Sequence, residues 1–160
     1  MHQKFEFEYD QLADGSDLSI DDQELLEAAR KATQNAYAPY SNFQVGAAAR
    51  LSNGQIVIGA NQESASFPVG VCAERALLNS VGSQFPSLTI STMAISYQPV
   101  GKDSKEPISP CGMCRQMLAE YEERTNQSIR IILSGMKGEV YIINSVTDLL
   151  PLTFSGTALK

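Results

Sequence analysis

The sequence predicts one α/β domain of three layers, with helices on both faces of a five-stranded mixed sheet and elements in the order α-β-β-α-β-α-β-β. Three observations carry this expectation. Stretches with apolar residues at alternate positions are interleaved with stretches of helical period. Asn53-Gly54 joins two of the strand-like stretches as a tight hairpin. All three cysteines fall in two segments at strand-to-helix junctions, which puts them at the strand C-terminal edge, where open α/β sheets bind ligands. With 160 residues, 43% hydrophobic content and no repeat, the chain suits a single core.

Residues 1–20 are expected to form an N-terminal arm, a possible extra edge strand, and residues 21–160 the domain. Within the arm, Lys4 to Tyr9 alternates apolar and polar, as a half-buried strand does, and Leu12 to Leu18 is a polar connector. Ser19 or Asp21 can cap a helix running to about Ala36, with acids in its first turn, Arg30 and Lys31 later, and Pro39 beyond its end. Its apolar stripe is Leu25, Leu26, Ala28, Ala29, Ala32 and Ala36, which marks a packing helix. Phe43 to Leu51 and Gln55 to Ala60 are the arms of the hairpin, and Gly46 to Ala49 are small enough for a helix or a second subunit to approach closely.

A helix is expected from Cys72 to Val81, ending near Gly82, followed by a buried strand from Thr89 to Tyr97. The charged stretch Lys102 to Glu106 is a solvated loop tip. A further helix runs from Cys111 to about Arg124. Ile129 to Leu133 and Glu139 to Ile143 are the last strands, and Val146 to Leu150 is a helical turn stopped by Pro151.

Charge and cysteine usage narrow the function. A formal net charge of −6, a pI near 4.7 and no Lys/Arg cluster disfavour a nucleic-acid partner. No apolar run approaches the roughly 20 residues of a membrane span. An odd cysteine count without a secretory apolar stretch points to a reducing cytoplasm and to thiol or metal chemistry.

Cys111 and Cys114 are three apart, so both sulfurs reach the same side at a helix start. Alone, that pair also fits a redox site. With Cys72, three thiolates leave one position of a tetrahedral zinc open for water, which distinguishes a catalytic from a closed structural site. His2, the only histidine, sits at the chain start and is a poor fourth ligand. Glu74, two residues after Cys72, can act as a proton carrier beside that position, and Arg75 can offset the negative charge of a three-thiolate site.

Four segments resemble the small homotetrameric cytidine deaminases of the three-cysteine type: Ala36-Tyr37-Ala38-Pro39-Tyr40-Ser41-Asn42-Phe43, Gly59-Ala60-Asn61-Gln62-Glu63, Cys72-Ala73-Glu74-Arg75 and Ser109-Pro110-Cys111-Gly112-Met113-Cys114-Arg115-Gln116. The Leu149-Leu150-Pro151 and Phe154 ending is similar too, so the resemblance covers nearly everything from about Asp21 to Phe154. It implies a cytidine deaminase-like fold, one Zn2+ per subunit on Cys72, Cys111 and Cys114, and Glu74 as the proton shuttle. It further implies that Asn61 and Glu63 hydrogen-bond a ribose hydroxyl and that Phe43 packs on a pyrimidine ring. By residue type alone, Phe43 fits a core position and Asn61 and Glu63 a solvated loop.

The activity so implied is hydrolysis of cytidine and deoxycytidine to uridine, deoxyuridine and ammonia, in pyrimidine salvage. Tyr40 and Phe154 are expected near a subunit boundary. A deaminase of a cytosine-containing antibiotic such as blasticidin S, and a non-enzymatic thiolate-zinc or redox protein, are the alternatives. The chain departs from the family in Ser64, where asparagine is usual after the ribose-binding glutamate, and in the longer arm before Asp21.

Overall fold

The computed structural model describes residues 1–159. Its regular elements are β1 (Asp10–Leu12), α1 (Ile20–Ala32), β2 (Phe43–Leu51), β3 (Ile56–Ala60), α2 (Ala73–Gln84), β4 (Ile90–Pro99), α3 (Gly112–Thr125), β5 (Arg130–Ser134) and β6 (Val140–Ile143). The sheet has six strands in the order β1-β6-β5-β4-β2-β3, not the five expected. The additional strand is β1, whose Asp10 and Leu12 pair antiparallel with Ile142 and Val140 and cover an otherwise open edge of β6. It lies one step beyond the alternating residues 4–9, which form no strand. Instead, the alternation lays Tyr9 against Tyr141 with ring centroids 5.0 Å apart, and Phe7 against Tyr9 at 6.1 Å.

Local chemistry sets the helix ends. Ser19 caps α1, its hydroxyl accepting from the Asp22 N–H at 3.2 Å, with Asp21 and Asp22 at the positive end of the dipole and Arg30 and Lys31 at the negative end. The helix closes in a 3-10 turn, Thr33–Asn35, ahead of Pro39. Helix α2 runs past the expected stop, with Gly82 inside it, and leaves the helical region at Phe85 (φ −133°, ψ 55°). Phe85 precedes Pro86, whose ring bars helical geometry at the residue before it.

Successive residues of the central strands feed opposite layers. Ala48, Ala94 and Ile132 pack against Leu25, Leu26 and Ala29 of α1. Ala47, Ala49, Met93, Ile95, Ile131 and Leu133 pack with Leu77, Leu78 and Val81 of α2 and Leu118 and Tyr121 of α3. Two glycines set the spacing of these layers. A Cβ at Gly46 would lie 2.1 Å from the Ala29 carbonyl oxygen, so the element approaching β2 there is α1. A Cβ at Gly59 would lie 2.5 Å from the Ala73 carbonyl oxygen, so α2 is seated directly on β3 beside Cys72.

Among the described strands, only β4 and β5 are neighbours in parallel. Because β2 is antiparallel to both β3 and β4, these two strands point the same way. Their C-terminal ends share one edge of the sheet, and the chain leaving that edge leads to Cys72 on one side and Cys111 on the other. Among the described residues, no helix is long and apolar enough to cross a membrane.

Candidate active site

Cys72 and Cys111 occupy equivalent places, each the extended residue that begins a helix, with φ −69°, ψ 157° before α2 and φ −68°, ψ 169° before α3. A residue there ordinarily turns its side chain back to a first-turn N–H. Neither cysteine does so. Their sulfurs face each other at 3.7 Å, and Cys111 Sγ lies 3.4 Å from Cys114 Sγ, one turn into α3. All three sulfurs lie within 4.8 Å of one another, with Cys114 buried, Cys72 half-buried and Cys111 exposed.

This cluster fits zinc. Zn–S bonds of about 2.3 Å in tetrahedral geometry hold sulfurs about 3.8 Å apart, close to the separations here, and thiolates are among the metal's preferred ligands. Two helix N-termini bring partial positive charge to the same place. Hydrogen bonding with Cys114 first, then with Cys111 and the charge of Arg75, lowers the Cys72 thiol to about 6 despite burial. The Cys114 thiol is held up by its bond to Cys72, by burial and by the charge of Glu74. Arg75 lies alongside, its Nη1 3.9 Å from Met113 Sδ, and so points toward the start of the partner helix.

Glu74 sits in the first turn of α2 and is 4% exposed. Burial raises its carboxyl above the usual carboxylate range, and the Cys72 charge adds to this. Its own N–H, a hydrogen bond with Cys114 and the Arg75 charge pull the other way. The side chain that the sequence singled out beside Cys72 is thus buried in the first turn of α2, close enough to Cys72 and Cys114 for their groups to influence its carboxyl.

The other predicted residues are brought together differently. The Asn61 amide bridges the start of β2, its Oδ1 accepting from the Val45 N–H at 2.8 Å and its Nδ2 donating to the Phe43 carbonyl at 2.9 Å. Phe43 in turn stacks on Tyr97 of β4, with centroids 5.1 Å apart and planes at 24°. Glu63 accepts from the N–H groups of Tyr40 (2.9 Å) and Ser41 (3.3 Å). The Ser41 hydroxyl chiefly, with these two N–H groups, holds its carboxyl below the ordinary range. Ser64, the departure from the family pattern, accepts from the Ser66 N–H at 3.2 Å and so closes its own turn.

Glu63 lines a cavity of about 410 Å³ with Tyr40, Ser41, Ser64, Phe67 and Gly70, which none of the cysteines lines. A larger cavity of about 680 Å³ lies between α1 and residues 136–138, on the sheet face away from the cysteine helices, and no cysteine lines it.

Two contacts were not anticipated from the sequence. Tyr97, the platform under Phe43, pairs with Val45 across β2 and β4, so only the strand register reveals that it lies beside Phe43. Arg115 donates to two carbonyls, and nothing in the sequence marked it for a role beyond its place in the Ser109 to Gln116 segment, one turn after Cys111.

Comparison with known proteins agrees with this geometry. Residues 19–127 match the model of the cytidine and deoxycytidylate deaminase zinc-binding region. Cytidine deaminases of Halalkalibacterium halodurans and Sporosarcina psychrophila are each 35% identical over 136 residues, which is 85% of this chain and 96% and 93% of theirs. The crystal structure of cytidine deaminase from Burkholderia pseudomallei superposes with a TM-score of 0.70 at 37% identity, covering 82% of this chain and 97% of that one. That of Mycobacterium tuberculosis gives 0.64 at 30%, covering 85% and 98%. The chain belongs to the zinc-binding cytidine and deoxycytidylate deaminase family.

Proposed function

We propose that the protein hydrolyses cytidine and deoxycytidine to uridine and deoxyuridine with release of ammonia. The observation that carries this reading is the buried Glu74 carboxyl beside three convergent sulfurs at two helix starts. Cys72, Cys111 and Cys114 hold one zinc ion, which when bound supplies the Lewis acidity that makes water a nucleophile near neutral pH. Glu74 takes a proton from the attacking water and delivers it to N3 as oxygen bonds to C4. It then carries a second proton to the amine as the C4–N bond breaks and ammonia leaves. A carboxyl raised by burial holds a proton more readily than a free one, which suits a group that must carry it from water to the ring.

Phe43, propped on Tyr97, offers a flat wall to the pyrimidine ring. Asn61 and Glu63 take the ribose. Each has spare capacity: the amide retains one donor and one acceptor position after its two backbone bonds, and a carboxylate accepts at about four sites. Their backbone bonds aim them, so the sugar meets groups already in place.

The molecule works as a cytoplasmic homotetramer in pyrimidine salvage. Tyr37, Tyr40, Phe67, Val69 and Phe154 are all at least half exposed on the single chain, an apolar set around the 37–43 and 61–72 segments that subunit contact would cover. Light scattering should give four chains per particle; a monomer would remove that assignment.

Ammonia release, followed with the ultraviolet change, is to be compared for cytidine, deoxycytidine, blasticidin S and CMP. Turnover of the two nucleosides with little on CMP is expected. Preference for the antibiotic, or inertness toward all four in zinc-loaded protein, would overturn the reading.

A further inference from the structure

We propose that Arg115 is a positioning residue that holds Cys111 in place by tying the cysteine loop to the C-terminal segment. The inference rests on the assignment of Cys72, Cys111 and Cys114 as metal ligands, and concerns how one of them is held.

The three sulfurs are not secured alike. Cys114 is fixed by burial within α3. Cys72 follows Val71, whose backbone is bridged to Gln62 by two hydrogen bonds of 2.9 Å. Cys111 is exposed and ends the irregular stretch between β4 and α3, so neither packing nor a strand partner orients it.

Arg115 supplies what is missing. Its Nε donates to the Pro110 carbonyl at 2.8 Å, and that carbonyl belongs to the peptide plane leading into Cys111. Its Nη1 donates to the Leu149 carbonyl, also at 2.8 Å. Leu149 packs against the core cluster that includes Leu118 and Tyr121 of α3, so the second bond ties the fork to a segment seated on the core. Arg115 N–H also closes the first turn of α3 on the Cys111 carbonyl at 2.9 Å, so the peptides on both sides of Cys111 are held by one residue.

A planar guanidinium presents its donors at fixed directions and spans two carbonyls at once, whereas a lysine ammonium is a single point on a flexible stem. The neighbouring Gln116 makes a similar clasp further on, to the Phe154 carbonyl at 2.9 Å, and among the described residues its side chain makes no hydrogen bond to the cysteine loop. It is therefore the natural control.

The test is cobalt substitution, in which thiolate-to-cobalt absorption reports the ligand geometry without reference to turnover, together with the rate of zinc release to a chromophoric chelator. Arg115→Ala and Arg115→Lys are expected to alter the cobalt spectrum and to speed zinc release about 10–100-fold, as is usual when a group orienting a metal ligand is lost. Added guanidinium ion should partly restore Arg115→Ala. Gln116→Ala should keep the parental spectrum and release rate.

If Arg115→Ala does not fold, Arg115→Lys, which keeps the charge and most of the stem, decides the matter. A purely structural arginine would lower its melting temperature and leave its cobalt spectrum unchanged, and that result would overturn the proposal. So would an equal change in Gln116→Ala. Absence of the thiolate band from the parental protein would instead overturn the ligand assignment.

Discussion

The cysteine cluster and the 61–63 segment, which follows β3 and is bridged to Val71 just before Cys72, treat their side chains in opposite ways. At the two helix starts, Cys72 and Cys111 forgo the capping bonds open to them and converge on each other. In the turn, Asn61 and Glu63 spend most of their hydrogen bonds on the backbone of residues 40–45. One set is held by the fold but gives little back to it; the other builds part of the fold it stands on. Chemistry should therefore separate from stability in the first region and be entangled with it in the second.

The largest expected effect tests the first half of that contrast. Glu74→Gln keeps the shape of the side chain and removes its ability to carry a proton, so kcat should fall by about 10²–10⁴-fold. Because the carboxyl is buried and its charge penalised there, the neutral amide should not lower the melting temperature. Parallel calorimetry and ammonia assays check both statements. An activity loss accompanied by unfolding would break the separation.

Asn61→Ala should behave in the opposite sense. It strips a partner from the Val45 N–H and the Phe43 carbonyl, both at part-buried positions, and should cost about 1–3 kcal/mol of stability while raising KM. Urea denaturation and steady-state kinetics on one preparation would show the two effects together. A KM effect without a stability effect would mean that the amide serves substrate alone.

Glu63 offers the smallest and most specific test. Its folded carboxyl titrates below the ordinary range, so its bonds to the 40–41 backbone add stability above the unfolded carboxylate value, about 4.3, and lose it as pH falls through the lower folded value. From pH 7 to about pH 5 the contribution should stay constant. Glu63→Gln should be less stable than the parent across that window and converge with it in acid. A constant difference down to the lowest pH would show that the charge is not what holds the turn.

Much of this arrangement was legible in the chain. Helix caps, the Asn53-Gly54 hairpin and the alternation of Phe43 to Leu51 depend on neighbours in sequence, and they match closely the observed α1, β2 and β3. The convergence of Cys72, Cys111 and Cys114 into a cluster able to hold a metal was legible because metal chemistry restricts residue type and spacing tightly.

What escaped depends on contacts between distant segments. A possible edge strand in residues 1–20 was legible from the alternation of Lys4 to Tyr9, but its place at Asp10–Leu12 is set by pairing with the distant β6. The extension of α2 past Gly82 was decided by Pro86, since the restriction before proline outweighed the glycine's freedom. Asn61, Glu63 and Phe43 were nominated through resemblance, while their partners Val45 and Tyr97 required the register of β2 with β3 and β4, and Tyr40 the bridge between Tyr37 and Gln62. Glu122, buried and accepting from the N–H groups of Ile129 and Val146, likewise carries no local sign of its role in fixing α3 against the chain beyond it.

The most direct test of the central claim is to titrate the thiols of the intact enzyme with a chromogenic disulfide, with and without a chelator, while following ammonia release from cytidine in the same samples. Masked thiols and full turnover are expected in the zinc-loaded protein. On chelation all three cysteines should become reactive, turnover should cease, and zinc should restore it. Three freely reactive thiols in a protein that still deaminates cytidine would contradict it.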